Sequence, residues 1–168
     1  MAQARKSEFY TGYGFEDSVT GRFDVLALHM FLLSHRLAGE GSQTATDLAQ
    51  RVFDTFTADT DRALREIGIG DTSVPKRKKS MIRGFYGQID DFGDALTARK
   101  VEALEAAVAQ RFRLAGDGNL CPLVQYMLAA ADRLARMEVA DMINGGPEWP
   151  DPSGPIVASP GRQAKDNS

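Results

Sequence analysis

The sequence predicts an all-α fold: one compact bundle of about five to seven helices, followed by a disordered C-terminal tail. Three observations carry this. Apolar residues recur at spacings of three and four along most of the chain. No stretch alternates between apolar and polar residues as a half-buried strand would. Hydrophobic residues make up 43% of 168 positions, enough for a single domain with a real core.

The elements follow in order. Residues 1–20 form an aromatic-rich N-terminal segment, and a helical domain spans 21–143. Within it, "FDVLALHMFLLSHRL" (23–37) is apolar on nearly every side and belongs at the centre of a bundle. Gly39 and Gly41 end it. Residues 46–67 read as helix with a break near "FTADTD", where Thr57 or Asp59 starts a new segment. The next helix begins at Pro75, because proline suits a first helical position and pushes Val74 away from helical angles. Its inward stripe is Ile82, Phe85, Ile89, Phe92 and Leu96. Residues 98–114 repeat the pattern with Val101, Leu104, Val108 and Phe112. A last helix runs from Pro122 to Ile143, with Leu123, Met127, Leu134 and Met137 inward. From 144 to 168 the chain holds five of its seven prolines and little to bury, so it reads as disordered. Trp149, the only tryptophan, is expected to be solvated there or to rest loosely on the domain.

Most catalytic chemistry is missing. There is no P-loop, nucleophile elbow or HExxH motif. "GIGDTS" resembles a dinucleotide fingerprint but follows a helix rather than a strand. His29 and His35 point to different helix faces, so they form no metal pair, and His29 reads as a hydrogen-bonded core histidine. Asp90 and Asp94 share a solvated face. Cys121 is the single cysteine and reads as a small buried residue. The chain is therefore expected to be no enzyme, with no cofactor, metal or small-molecule substrate. The longest apolar run, 25–33, is far short of the roughly 20 residues a membrane helix needs. The first ten residues lack an apolar core, which gives an expectation of cytoplasmic residence without a secretory signal.

The formal net charge is −3, so affinity for a polyanion would have to be local. "PKRKK" is such a place. Lys76, Arg77, Lys78 and Lys79 stand in the first turn of their helix, where the dipole disfavours cations by about 0.3–1 kcal/mol each. Lys76, Lys79 and Arg83 then fall on one stripe at i, i+3 and i+7, rotated from the Phe85 face. Gly84 and Gly87 lie along it, each costing about 1 kcal/mol relative to alanine. Pairing with Asp59, Asp61, Glu66 and Asp71 is the bland explanation, but surface pairs are worth only about 0–1 kcal/mol. We therefore expect a partner-binding basic stripe of Lys76, Arg77, Lys79 and Arg83. Val74, Met81 and Tyr86 are the candidate client contacts. The preceding turn, with Gly68, Gly70, Asp71 and Pro75, is expected to be a corner that aims this helix.

The segments "GRFDVLALHMFLLSHRL", "LAQRVFDTF", "DRALREIGIGDTSVPKRKKSM" and "FYGQIDDFGDAL" together resemble the ubiquinol–cytochrome c chaperone family, over roughly residues 9 to 142. The family often has an arginine where this chain has Gln88, and an Arg-Asn pair where it has Arg111-Phe112. The resemblance implies a non-enzymatic assembly factor of bacterial type. Such a factor holds newly made cytochrome b, works near the ribosome and the acidic inner-membrane surface, and acts in some members with a small partner protein. It implies no specific DNA. The competing expectation is a module that binds ribosomal RNA or other nucleic acid through the same basic helix.

Overall fold

A computed structural model describes residues 2–66, 73–115 and 120–154, apart from the side chains of Arg77 and Gln88. The chain opens with a 3-10 turn (Gln3–Arg5) and a short helix, α1 (Glu8–Thr11). Six helices follow: α2 (Val19–Glu40), α3 (Gln43–Glu66), α4 (Val74–Thr97), α5 (Val101–Arg111), α6 (Cys121–Ala135) and α7 (Val139–Gly145). Among the described residues there is no strand, so the fold is all-α as the apolar spacing requires.

α2 is the axis of the bundle. Ser18 caps it, its hydroxyl accepting from the Gly21 N–H at 3.2 Å. Gly41, at φ 68°, closes it in the left-handed conformation that glycine adopts without strain. Gly39 stays inside the last turn and does not end the helix. Every residue from Ala27 to Leu33 is buried. α3, α4 and α6 pack around this segment, and the N-terminal turn leans against it. Burying Leu28 and Phe31 alone contributes about 1.5–3 kcal/mol each.

Several expected boundaries move, each for a local reason. α3 runs unbroken through "FTADTD". The Thr57 and Thr60 hydroxyls donate back to the Asp54 and Phe56 carbonyls, at 2.9 and 2.7 Å, instead of capping a new helix. The expected last helix divides into α6 and α7. Arg36 on α2 donates to the Leu134 and Met137 carbonyls, both at 3.0 Å, and so satisfies the end of α6 with a side chain. α5 is shorter than expected. Before it, Arg99 takes φ 53°, with its guanidinium gripping both Asp132 carboxylate oxygens at 2.6 and 3.0 Å.

Both ends of the described chain are part of the core, which the sequence reading missed. Phe9 is fully buried, and its ring meets His29 and Tyr126 edge-on at 5.2 and 5.1 Å. Trp149 also meets His29 edge-on, at 4.8 Å. Gln3 donates from Nε2 to the Pro150 carbonyl at 2.8 Å, and the Tyr13 hydroxyl donates to the Pro152 carbonyl at 3.0 Å. Residues 146–154 are therefore packed on the domain, not an undocked tail beginning at 144. The rest of the expected tail, 155–168, lies outside the described residues.

His29 is the buried hydrogen-bonded histidine expected. Its Nδ1 sits 2.7 Å from the Val25 carbonyl and its Nε2 2.7 Å from the Tyr126 hydroxyl. A carbonyl only accepts, so the proton is on Nδ1 and Tyr126 donates to Nε2. Burial pushes the His29 pKa down from 6.5 to about 4, with the Val25 bond opposing. His35 is shifted the same way by burial. The unfolded chain thus binds a proton in this window that the folded chain refuses.

Stability should accordingly fall as pH drops from about 6.5 to about 4, with His29 contributing on the order of 3 kcal/mol over the full window. Asp24 on α2 works in the opposite sense, since burial raises its carboxyl to about 6, with the Arg111 guanidinium opposing. Urea unfolding across this range should show a steeper acid loss in Asp24→Asn than in the wild type. A flat profile in Asp24→Asn would contradict the buried neutral His29.

Candidate partner-binding surface

α4 enters the bundle through Val74, whose side chain is 0% exposed. Val74 is therefore removed from the candidate client contacts: it anchors the first turn in the core. Pro75 follows in that first turn and is exposed. Gly68, Gly70 and Asp71, the expected corner, lie outside the described residues, as does the side chain of Arg77.

The basic stripe faces solvent. Lys76, Lys79 and Arg83 are all exposed, three and four residues apart on one side of α4. Two of the upstream acids, Asp59 and Asp61, meet other cations, and Asp71 lies outside the described residues. Asp61 accepts from Arg65 at 2.9 Å and lies 3.7 Å from Lys78, while Asp59 lies 3.8 Å from Arg62. The Arg65 bond, first of all, holds the Asp61 carboxyl below its ordinary pKa. Internal neutralisation therefore reaches Lys78. Among the described residues, Lys76, Lys79 and Arg83 have no acidic partner within ion-pair distance.

Apolar surface continues this face. Tyr86 is 52% exposed, and its ring lies 5.9 Å from Phe53 of α3 and 5.7 Å from Phe85. Phe53 and Met81 are half-buried. A row of three cations, without an acidic partner among the described residues, thus runs into an aromatic step shared by α3 and α4.

The two glycines have a use the sequence did not disclose. A Cβ at Gly87 would sit 3.0–3.3 Å from the Arg111 guanidinium, and one at Gly84 would sit 3.1 Å from it. The glycines make room for an internal cation reaching over from α5, not for a partner's approach. Arg111 also draws down the pKa of half-buried Asp24 on α2. It was visible in the sequence only as a departure from the family pattern. The two glycines on an exposed helix face were the available signal that a bulky group crosses there.

Other candidates stay ordinary. Asp90 and Asp94 are exposed. Cys121 is half-buried, and Gln125 Nε2 donates to its Sγ at 3.2 Å. Among the described residues, no three His, Cys, Asp or Glu side chains are grouped to hold a metal ion. No described helix is long and apolar enough to cross a membrane.

The described residues thus form an all-helical bundle with a cationic, solvent-facing row on α4. A family model described as ubiquinol-cytochrome C chaperone matches residues 11–149, and the chain belongs to that family. The chain is also similar to a solved structure, the Cbp3 homolog from Brucella abortus. The two share 37% sequence identity with a TM-score of 0.79, over 90% of this chain and 84% of that one. No curated protein matches.

Arg111→Ala should raise the Asp24 pKa above its value of about 6, because the guanidinium is the group that favours the carboxylate. Carboxyl-carbon NMR titration would show it. An unchanged Asp24 pKa would mean that Arg111 does not face it.

Proposed function

We propose that this protein is an assembly chaperone that binds newly made cytochrome b and promotes its incorporation into the ubiquinol–cytochrome c reductase complex. Family membership supports the class of function. The observation that carries the residue-level reading is the row Lys76, Lys79 and Arg83, which is exposed and unpaired among the described residues and runs into Tyr86. Lys76 stands in the first turn of α4, where a cation works against the dipole, and Lys79 and Arg83 extend the positive charge along the same side. Their favourable partner is an external anion. A nascent membrane segment is apolar with charged flanks and emerges between the ribosome and an anionic lipid surface. A cationic row beside an aromatic step suits that setting: the row holds the protein to phosphate, and Tyr86 and Met81 meet the client.

The protein then acts by binding alone. It holds an apolar segment out of water until the segment joins its complex, and a small partner protein is compatible with this. Its place is cytoplasmic, peripheral to the inner membrane. The second reading, an RNA-binding module, draws on the same cationic row, since ribosomal RNA also presents phosphates. It requires strong salt dependence and no apolar contact.

The variant Lys76→Glu, Lys79→Glu, Arg83→Glu tests both readings. Its melting temperature should match the wild type, because all three side chains face solvent. Cytochrome b per cell, read from haem difference spectra, should fall several-fold. Wild-type amounts of assembled complex would contradict the role of the row. Nascent-chain capture that vanishes with RNase would favour the RNA-binding module.

A further inference from the structure

Residues 146–154 differ in kind from everything else that packs on this domain. Among the described residues, no backbone–backbone hydrogen bond joins 147–154 to the helices. Side chains hold the segment instead. Gln3 and Tyr13 donate to the carbonyls of Pro150 and Pro152, and Trp149 stands edge-on against His29. Side-chain donors reading prolyl carbonyls across an aromatic floor are the means by which proteins recognise proline-rich peptides.

Charge follows the same division. The strap is acidic and its seat is basic: Asp151 lies 3.6 Å from Lys6, and Glu148 lies 3.4 Å from Arg133. All four side chains are substantially exposed, so these pairs steer more than they fasten. The strap also leaves its seat partly unfilled. Beside Trp149 a groove of about 300 Å³ continues between α2 and α3, lined by Leu26, Met30, Leu33 and Val52, with Arg51 at its edge.

We propose that residues 146–154 are a built-in stand-in for a ligand. The face they cover is a receptor for an acidic, proline-bearing segment of a partner protein that anchors an aromatic side chain beside His29 and extends into the groove. The strap keeps this apolar seat covered until the partner segment displaces it. Release breaks no helix, because residues 147–154 share no backbone–backbone hydrogen bond with the helices and only side-chain donors let go of their carbonyls. Held in cis, the strap competes at an effective concentration of about millimolar order, so a free segment of the same length needs a comparable concentration to displace it and a longer or better-filling one needs less.

Trp149 is the only tryptophan, so its emission reports the strap directly. The full chain is titrated with a synthetic peptide of residues 146–154 carrying Trp149→Phe. Saturable red-shifted emission is expected as the peptide takes the seat. In the full chain carrying Glu148→Lys and Asp151→Lys, the same shift should need several-fold less peptide, with helix content and melting unchanged. A peptide carrying Glu148→Lys and Asp151→Lys should not displace the strap. Emission unmoved by millimolar peptide in both chains would overturn the proposal and make the strap a fixed part of the fold. Equal displacement by acidic and basic peptides would overturn the charge recognition. Dimers of the loosened chain, seen by size-exclusion chromatography, would overturn the choice of partner in favour of a second copy.

Discussion

A single proton on His29 sets the polarity of a chain of hydrogen bonds that joins distant parts of the sequence. The Val25 carbonyl can only accept, so Nδ1 must donate to it. Nε2 is then left to accept from Tyr126. The Tyr126 oxygen in turn accepts from Gln3, whose other N–H reaches the Pro150 carbonyl. The N-terminal turn, α2 and α6 are thereby joined through a line of hydrogen bonds, buried at His29 and part-buried at Gln3, that ends on the Pro150 carbonyl of the strap. The surrounding rings of Phe9, Tyr13 and Trp149 exclude water from it. A charged imidazole would have two donors facing a donor and a carbonyl, which is why burial and polarity agree on the neutral form.

With α2 held in this way, α3, α4 and α6 can pack on it while the outer side of α4 remains available for charge. α4 is inward-facing at Val74, Phe85, Phe92 and Leu96, and outward-facing at Lys76, Lys79 and Arg83. The two glycines on its flank cost helix stability, and the return is a seat for the Arg111 guanidinium, whose charge Asp24 faces from α2. Positive charge thus stands on the α4–α5 side twice, once as Arg111, which favours the Asp24 carboxylate, and once as a row without an acidic partner among the described residues. The Arg111 guanidinium lies over the glycines of α4, while Lys76, Lys79 and Arg83 face solvent, and the proposed function rests on that exposed row.

Much of this was legible in the sequence, in proportion to how local its causes are. The central helix was readable because residues 23–37 are apolar on all sides, and no other place suits such a helix. The outward row on α4 was readable from helical spacing alone. Val74 was misjudged because the orientation of a first turn is set by what it packs against, not by the proline that follows it. Thr57 and Asp59 look like caps, but the threonine hydroxyls bond within α3, and neighbouring helices reward its continuity. Trp149 was out of reach for a different reason: its seat is made by Gln3, Tyr13 and His29, far away in the chain. Composition reads prolines as disorder, whereas tertiary contact supplies side-chain donors for their carbonyls.

The central functional claim is that the face of α4 leading to Tyr86 meets cytochrome b as it is made. Photo-crosslinking in living cells tests it most directly, with a photoreactive side chain replacing Tyr86 in one strain and exposed Glu102 of α5 in another. Pulse-labelled cytochrome b should be captured at position 86 and not at position 102, with the adduct disappearing as the complex assembles. Capture at neither position, or equally at both, would contradict the account.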